Sequence, residues 1–88
     1  MKSNPIEIVI GEFGWVFVGR LAIERGYTCL EQASVIRSWG TTKGLGEIAL
    51  NGPTDSTKLD ACGSVRLLES KVVAVMACNQ VAWRKYVD

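Results

Sequence analysis

Two β-branched runs joined by a glycine-flanked turn occupy the first quarter of this chain, and they restrict its fold more than any other feature. Residues 6–10 read Ile-Glu-Ile-Val-Ile, and residues 15–23 read Trp-Val-Phe-Val-Gly-Arg-Leu-Ala-Ile. Alternation and β-branching are strand signals. Gly11-Glu12-Phe13-Gly14 lies between the runs with glycine at both ends, which predicts a hairpin. In the second run Trp15, Phe17, Leu21 and Ile23 share one face, while Val16 and Val18 are apolar on the other. A strand apolar on both faces is usually covered on both, and in so small a protein a neighbouring subunit could supply one cover. Gly19 interrupts the run and predicts a bulge or sharp bend, as small barrels use.

The remainder continues in the same manner. Glu24-Arg25-Gly26 is a turn. A third strand starts at Tyr27 and continues to Trp39 after a kink near Glu31-Gln32-Ala33. Residues 40–50 read as a loop and a short helix, which Asn51-Gly52-Pro53 stops. Residues 54–58 are polar and expected to be exposed, and residues 59–63 carry no clear signal. Residues 64–69 form a fourth strand and Ser70-Lys71 a tight connection. Residues 72–78 form a fifth strand, apolar on both faces and therefore expected at the sheet centre or at an interface. Asn79 is a good N-cap for a helix over residues 80–87. The apolar set of that helix is Val81, Ala82, Trp83, Tyr86 and Val87, with Arg84 and Lys85 near the end that suits cations. The expected class is mainly β: a small, strongly bent antiparallel sheet or partly open barrel of about five strands, with a short helix after strand 3 and a short C-terminal helix. Residues 1–88 are expected to form a single domain.

Composition narrows the function classes. A chain of 88 residues buries only about 60–65% of the surface it exposes when unfolded. Yet 48% of it is hydrophobic. The surplus points to a partner surface or a ligand pocket, and a homo-oligomer is the simplest partner. Ten Lys and Arg against nine Asp and Glu leave a net charge of +1, which argues against nucleic acid, whose binders usually show a strongly basic face. There is no histidine, so the commonest general base and metal ligand is missing. Glu24, Glu31, Glu47 and Glu69 show no spacing of a catalytic pair. A binding protein is expected rather than an enzyme, with no cofactor and no metal. Cys29, Cys62 and Cys78 are far apart, form no CxxC pair and resemble small core residues. With no signal-peptide pattern at the start, a reduced, cytoplasmic protein is expected. No apolar run approaches the roughly 18 residues of a membrane span.

Residues 34–52 bring together an aromatic, two cations, paired hydroxyls and four glycines. Arg37 and Trp39 lie two apart on one side of a strand. One reading is a nucleotide site, in which Trp39 stacks a base while Arg37 or Lys43 meets phosphate. The other makes Trp39 core or interface and pairs Arg37 with a carboxylate. Thr41, Thr42 and Lys43 precede a helix start, where free N–H groups favour anions. The GxxxxGK[ST] spacing of a P-loop is absent. The same residues also suit an ordinary helix start capped by Thr42. Trp15 and Phe17, beside the hairpin tip, either line a pocket or belong to the core.

Three blocks carry a family resemblance. They are the hairpin ending in Gly14 with Gly19 downstream; residues 33–50, with Ile36-Arg37-Ser38-Trp39-Gly40 and Leu45-Gly46-Glu47-Ile48-Ala49-Leu50; and Val65-Arg66-Leu67-Leu68-Glu69, followed by an apolar strand ending in Cys78 and a short helix. Over most of its length the chain resembles a family of small β-rich proteins, uncharacterised in function, that are encoded by tailed bacteriophages and prophages. The family typically carries two tryptophans in the second block, of which this chain has Trp39, and a serine where this chain has Gly46. The resemblance implies a phage origin, and so the cytoplasm of a bacterial host, and brings no activity with it. In that setting the expected function is capture of a small phosphorylated, nucleotide-like ligand, a signal of host antiviral defence, at Arg37, Trp39, Thr41, Thr42 and Lys43. The alternative is an interaction module that covers a host or viral protein. A nucleic-acid-binding small barrel is the weaker alternative.

Overall fold

The computed structural model describes residues 4–87. Five strands form one antiparallel sheet: β1 (Ile6–Gly11), β2 (Val16–Glu24), β3 (Tyr27–Ser38), β4 (Lys58–Leu68) and β5 (Val72–Ala77). Helix α1 (Leu45–Asn51) follows β3, and α2 (Gln80–Trp83) closes the chain with a 3-10 turn at Arg84–Tyr86. The expected class is what the chain adopts.

The strand order is β4-β3-β2-β1-β5. β4 and β5 are consecutive in sequence yet form opposite edges, and only the 3-10 turn Glu69–Lys71 separates them. From Leu68 to Val72 the chain reaches at most about 14 Å. The outer strands of a flat five-stranded sheet would lie about 19 Å apart. The connection therefore requires a strongly bent sheet, although β4 and β5 do not pair and the sheet is not closed.

Two sites on the β2–β3 pair make the bend. The register shifts between Val18 and Arg20, around Gly19. A Cβ on Gly19 would sit 3.0 Å from the Glu31 carbonyl oxygen and 3.1 Å from the Ala33 Cα, so glycine allows the two backbones to meet. Across from it Gln32 has φ of 53°, and the β3–β4 register shifts between Leu30 and Ala33. Both irregularities fall where the sequence suggests them.

The two faces of the sheet bury different cores. Ile6, Ile8, Val16, Val18 and Ile36 pack under Leu45, Ile48 and Ala49 of α1 and Trp83 of α2. Trp83 is 0% exposed, and its indole Nε1 donates to the Ile48 carbonyl at 2.7 Å. The Asn79 side chain accepts from the Val81 and Ala82 N–H groups and caps α2 as expected. Gln80 ties this end to the first strand, accepting from the Ile6 N–H and donating to the Ile6 carbonyl, each at 2.8 Å. On the other face Val9, Leu30 and Ala33 are buried among Phe17, Leu21, Val65, Leu67 and Val72, all strand residues.

Three expectations need correction. β4 begins at Lys58, six residues before the expected start, because β3 is twelve residues long and Ile36 pairs with Leu59. Of the two places expected for β5, the sheet centre is the one excluded: it is an edge strand with only β1 beside it, and Val73 and Val75 are exposed. The C-terminal helix keeps α geometry only to Trp83 and then tightens into the 3-10 turn.

Candidate functional site

The five residues singled out from sequence lie at the end of β3 and in the loop before α1. Arg37 is exposed and reaches Asp60 of β4, with Nε to Oδ2 at 2.7 Å and the second nitrogen to Oδ1 at 3.4 Å. The hydrogen bond and charge of Asp60 raise the guanidinium pKa above its ordinary value. Trp39 lies just beyond β3 and is 41% exposed. Its carbonyl accepts from the Thr57 hydroxyl at 2.7 Å, and the Gly40 carbonyl accepts from the Thr54 hydroxyl at 2.9 Å. Gly40 has φ of 67°, and a Cβ there would overlap the Ser56 carbonyl. This glycine thus lets the loop lie directly on residues 54–57.

The Thr41 hydroxyl donates to the Gly44 carbonyl at 2.8 Å. Thr42 is exposed and does not cap α1: the cap position is Gly44, with φ of 87° and no side-chain hydrogen bond. The backbone N–H of Lys43 donates to Glu47 at 3.2 Å. That carboxylate already occupies the helix start, where an incoming anion would meet like charge. Arg37, Trp39, Thr42 and Lys43 are exposed and Thr41 is half-buried, and none of the five lines any of the three hollows described below.

The most apolar hollow is elsewhere, with a volume of about 410 Å³. It runs between the β1–β2 hairpin and the last residues of β4. Phe13, Trp15 and Phe17 form one wall, Val65, Leu67 and Leu68 the other, with Glu12, Arg66 and Lys71 also lining it. Curvature creates it: Gly11 passes so close to β4 that a Cβ would sit 3.1 Å from Leu67 Cδ2. The Trp15 and Phe17 rings are parallel, with centroids 5.9 Å apart and 6° between planes. Trp15 is 57% exposed and Phe13 96%. Glu12 pairs with Lys71 at 3.6 Å, and the Arg66 guanidinium lies 5.5 Å from the centroid of the Tyr27 ring.

Such a groove suits a flat, mostly apolar ligand with an anionic group. The ring pair offers a stacking face, and Arg66 and Lys71 are the nearby cations, Lys71 being paired with Glu12. Two smaller hollows lie beside Glu24, Glu31 and Arg66, and beside Ser34, Gly63 and Tyr86. Sequence reasoning marked Trp15 and Phe17 as pocket or core, but it missed Leu68, Arg66 and Lys71. They stand some fifty residues away, and nothing local marks them; only the curvature brings them to the hairpin.

Burial, with a smaller contribution from the Glu7 charge, pushes the Cys78 thiol up to about 12. It stays protonated at neutral pH and is a poor nucleophile. Among the described residues no three His, Cys, Asp or Glu side chains group as a metal site, and no helix is long and apolar enough to cross a membrane. Neither a protein-family model nor a curated protein matches the chain.

Proposed function

We propose that this is a binding protein that captures a small phosphorylated, nucleotide-type ligand. The observation that carries the reading is the parallel Trp15–Phe17 pair in an apolar groove beside Arg66 and Lys71. A volume of about 410 Å³ falls within the range of small-molecule sites. A base stacks on Trp15, and a phosphate meets Arg66. The segment that carries Arg37, Trp39, Thr41, Thr42 and Lys43 is the second place for such a ligand, with Trp39 as the stacking ring. The sequence resemblance supports a phage origin, and the role that fits it is sequestering a nucleotide signal of host antiviral defence in the host cytoplasm. The surplus of apolar residues supports a homo-oligomer as the working form.

A second reading is favoured by Phe13, a large aromatic almost wholly in solvent at the mouth of the groove. In that reading the same surface covers a host or viral protein.

Calorimetry with a panel of linear and cyclic nucleotides tests the proposal. Base stacking contributes about 1–3 kcal/mol, so Trp15→Ala is expected to weaken binding roughly five- to a hundredfold, and Arg66→Ala comparably. Arg37→Ala and Trp39→Ala are expected to leave it unchanged. The reverse pattern moves the site to the loop. A protein that binds no member of the panel but captures a partner protein through Phe13 supports the second reading.

A further inference from the structure

The two edges of the sheet are built differently. β4 carries Lys58, Asp60 and Arg66, and its ladder breaks at Gly63, whose φ is 78°. Charges and bulges are the devices by which natural edge strands avoid pairing with another chain. β5 reads Val-Val-Ala-Val-Met-Ala, with no charge, proline or glycine. Its one irregularity lies at its start, opposite Gly11; from Ala74 to Ala77 it runs in unbroken register with β1. Val75 is 45% exposed, and its outer edge pairs with no strand among the described residues.

We propose that β5 pairs antiparallel with β5 of a second copy, about a twofold axis through Val75. The argument for a second copy is self-complementarity. With Val75 opposite its own counterpart, Ala74 of each copy faces Met76 of the other. A small side chain then meets a large one on the helix-covered side, and valine meets valine on the opposite side. No like charges meet, because the strand has none. Twofold interfaces of this kind are the commonest among homo-oligomers. The two sheets become one ten-stranded sheet with both pairs of helices on the same side, and the β4 edges remain outermost. The groove of each copy stays on its own β1–β2 hairpin, so this inference stands apart from the nucleotide reading.

Light scattering of the full chain at micromolar concentration is expected to give twice the 9.6 kDa chain mass. Val75→Lys places two like charges on the axis and is expected to give a monomer with an unchanged circular dichroism spectrum. In a Cys62→Ser background, Val75→Cys is expected to form an intermolecular disulfide under mild oxidation, since directly opposed strand residues lie within disulfide range. Leu68→Cys, on β4, is expected not to. A monomeric wild type overturns the proposal, as does a mass above the dimer. So does cross-linking through Leu68→Cys in place of Val75→Cys, which remains decisive should Val75→Lys fail to fold.

Discussion

The two faces of the bent sheet are closed by different means. On one, α1 and α2 form a roof, and the wholly buried Trp83 fastens it through its bond to the Ile48 carbonyl. On the other, the sheet curls on itself, so that β1, β2 and β3 meet side chains from β4 and the start of β5. The roofed face leaves its large central side chains dry. The curled face leaves an open mouth where the hairpin meets β4, and there Phe13 and Trp15 reach solvent. The roofed face holds the larger buried set, and the curled face leaves apolar surface open to solvent.

The sharpest way to break this contrast is Trp83→Ala. Removing a fully buried indole costs about 3–5 kcal/mol, most of the stability of a domain this small. It also leaves the Ile48 carbonyl without its side-chain donor. The variant is expected to lose its cooperative thermal transition by circular dichroism at room temperature or just above. A melt within a few degrees of wild type would show that the roof contributes little.

Leu30→Ala probes the curled face and is expected to cost less, about 2–4 kcal/mol. Leu30 is fully buried, but Phe17, Leu21, Val65 and Leu67 around it are only partly so and can shift into the space. Denaturant titration of both variants gives the order; a larger loss for Leu30→Ala reverses the comparison.

A smaller, pH-dependent effect belongs to Cys78, on the roofed face. Its thiol is raised from an ordinary 9.0 to about 12 by burial and by Glu7. Above pH 9 the unfolded chain loses this proton and the folded chain keeps it. Stability from this group is therefore complete below pH 9 and declines until pH reaches about 12. Cys78→Ala is expected to show a shallower fall in Tm between pH 8 and 11 than the wild type. Parallel profiles would mean that the folded thiol ionises as freely as the unfolded one.

The difference between the faces also explains what could be read from sequence. Strands were legible because β-branched runs between glycines report their own conformation. Gly19 and the kink near Gln32 were legible because each interrupts a run. Residues 59–63 were not: Asp60 and Gly63 break the alternation, and β3 supplies the pairing that makes them strand. Trp83 was placed in an apolar set with Val81 and Tyr86, yet it alone of the three is buried. A four-residue helix has too short a period to choose a face, and α1 makes the choice. Residues 37–43 drew notice because their chemistry is adjacent in sequence. Folding assigns part of that chemistry to local duties: Thr41 holds the Gly44 carbonyl, Arg37 holds Asp60, and Gly40 makes room for Ser56. The groove is made of residues that only curvature unites, so no window of sequence contains it.

The smallest expected change in stability is also the most informative about the open mouth. Phe13 has φ of 61° and ψ of 26°, in the left-handed region. There a bulky side chain is strained by about 1–3 kcal/mol, whereas asparagine and glycine are tolerated. Its ring gains little by packing, being 96% exposed. Stability alone would favour asparagine at this position, so the aromatic stands against the local preference of the turn. The binding role proposed above accounts for such an outlier at the rim of the groove. Phe13→Asn is therefore expected to leave Tm unchanged or to raise it by a few degrees, since about 1 kcal/mol moves a domain of this size by roughly 4–8 °C. The same variant is expected to weaken capture of whatever the groove holds, which calorimetry or partner pull-down reads directly. A clear drop in Tm would mean that the ring packs on the hairpin after all. Unchanged capture with raised stability would remove Phe13 from the site and leave Trp15 as its only candidate aromatic anchor open to solvent.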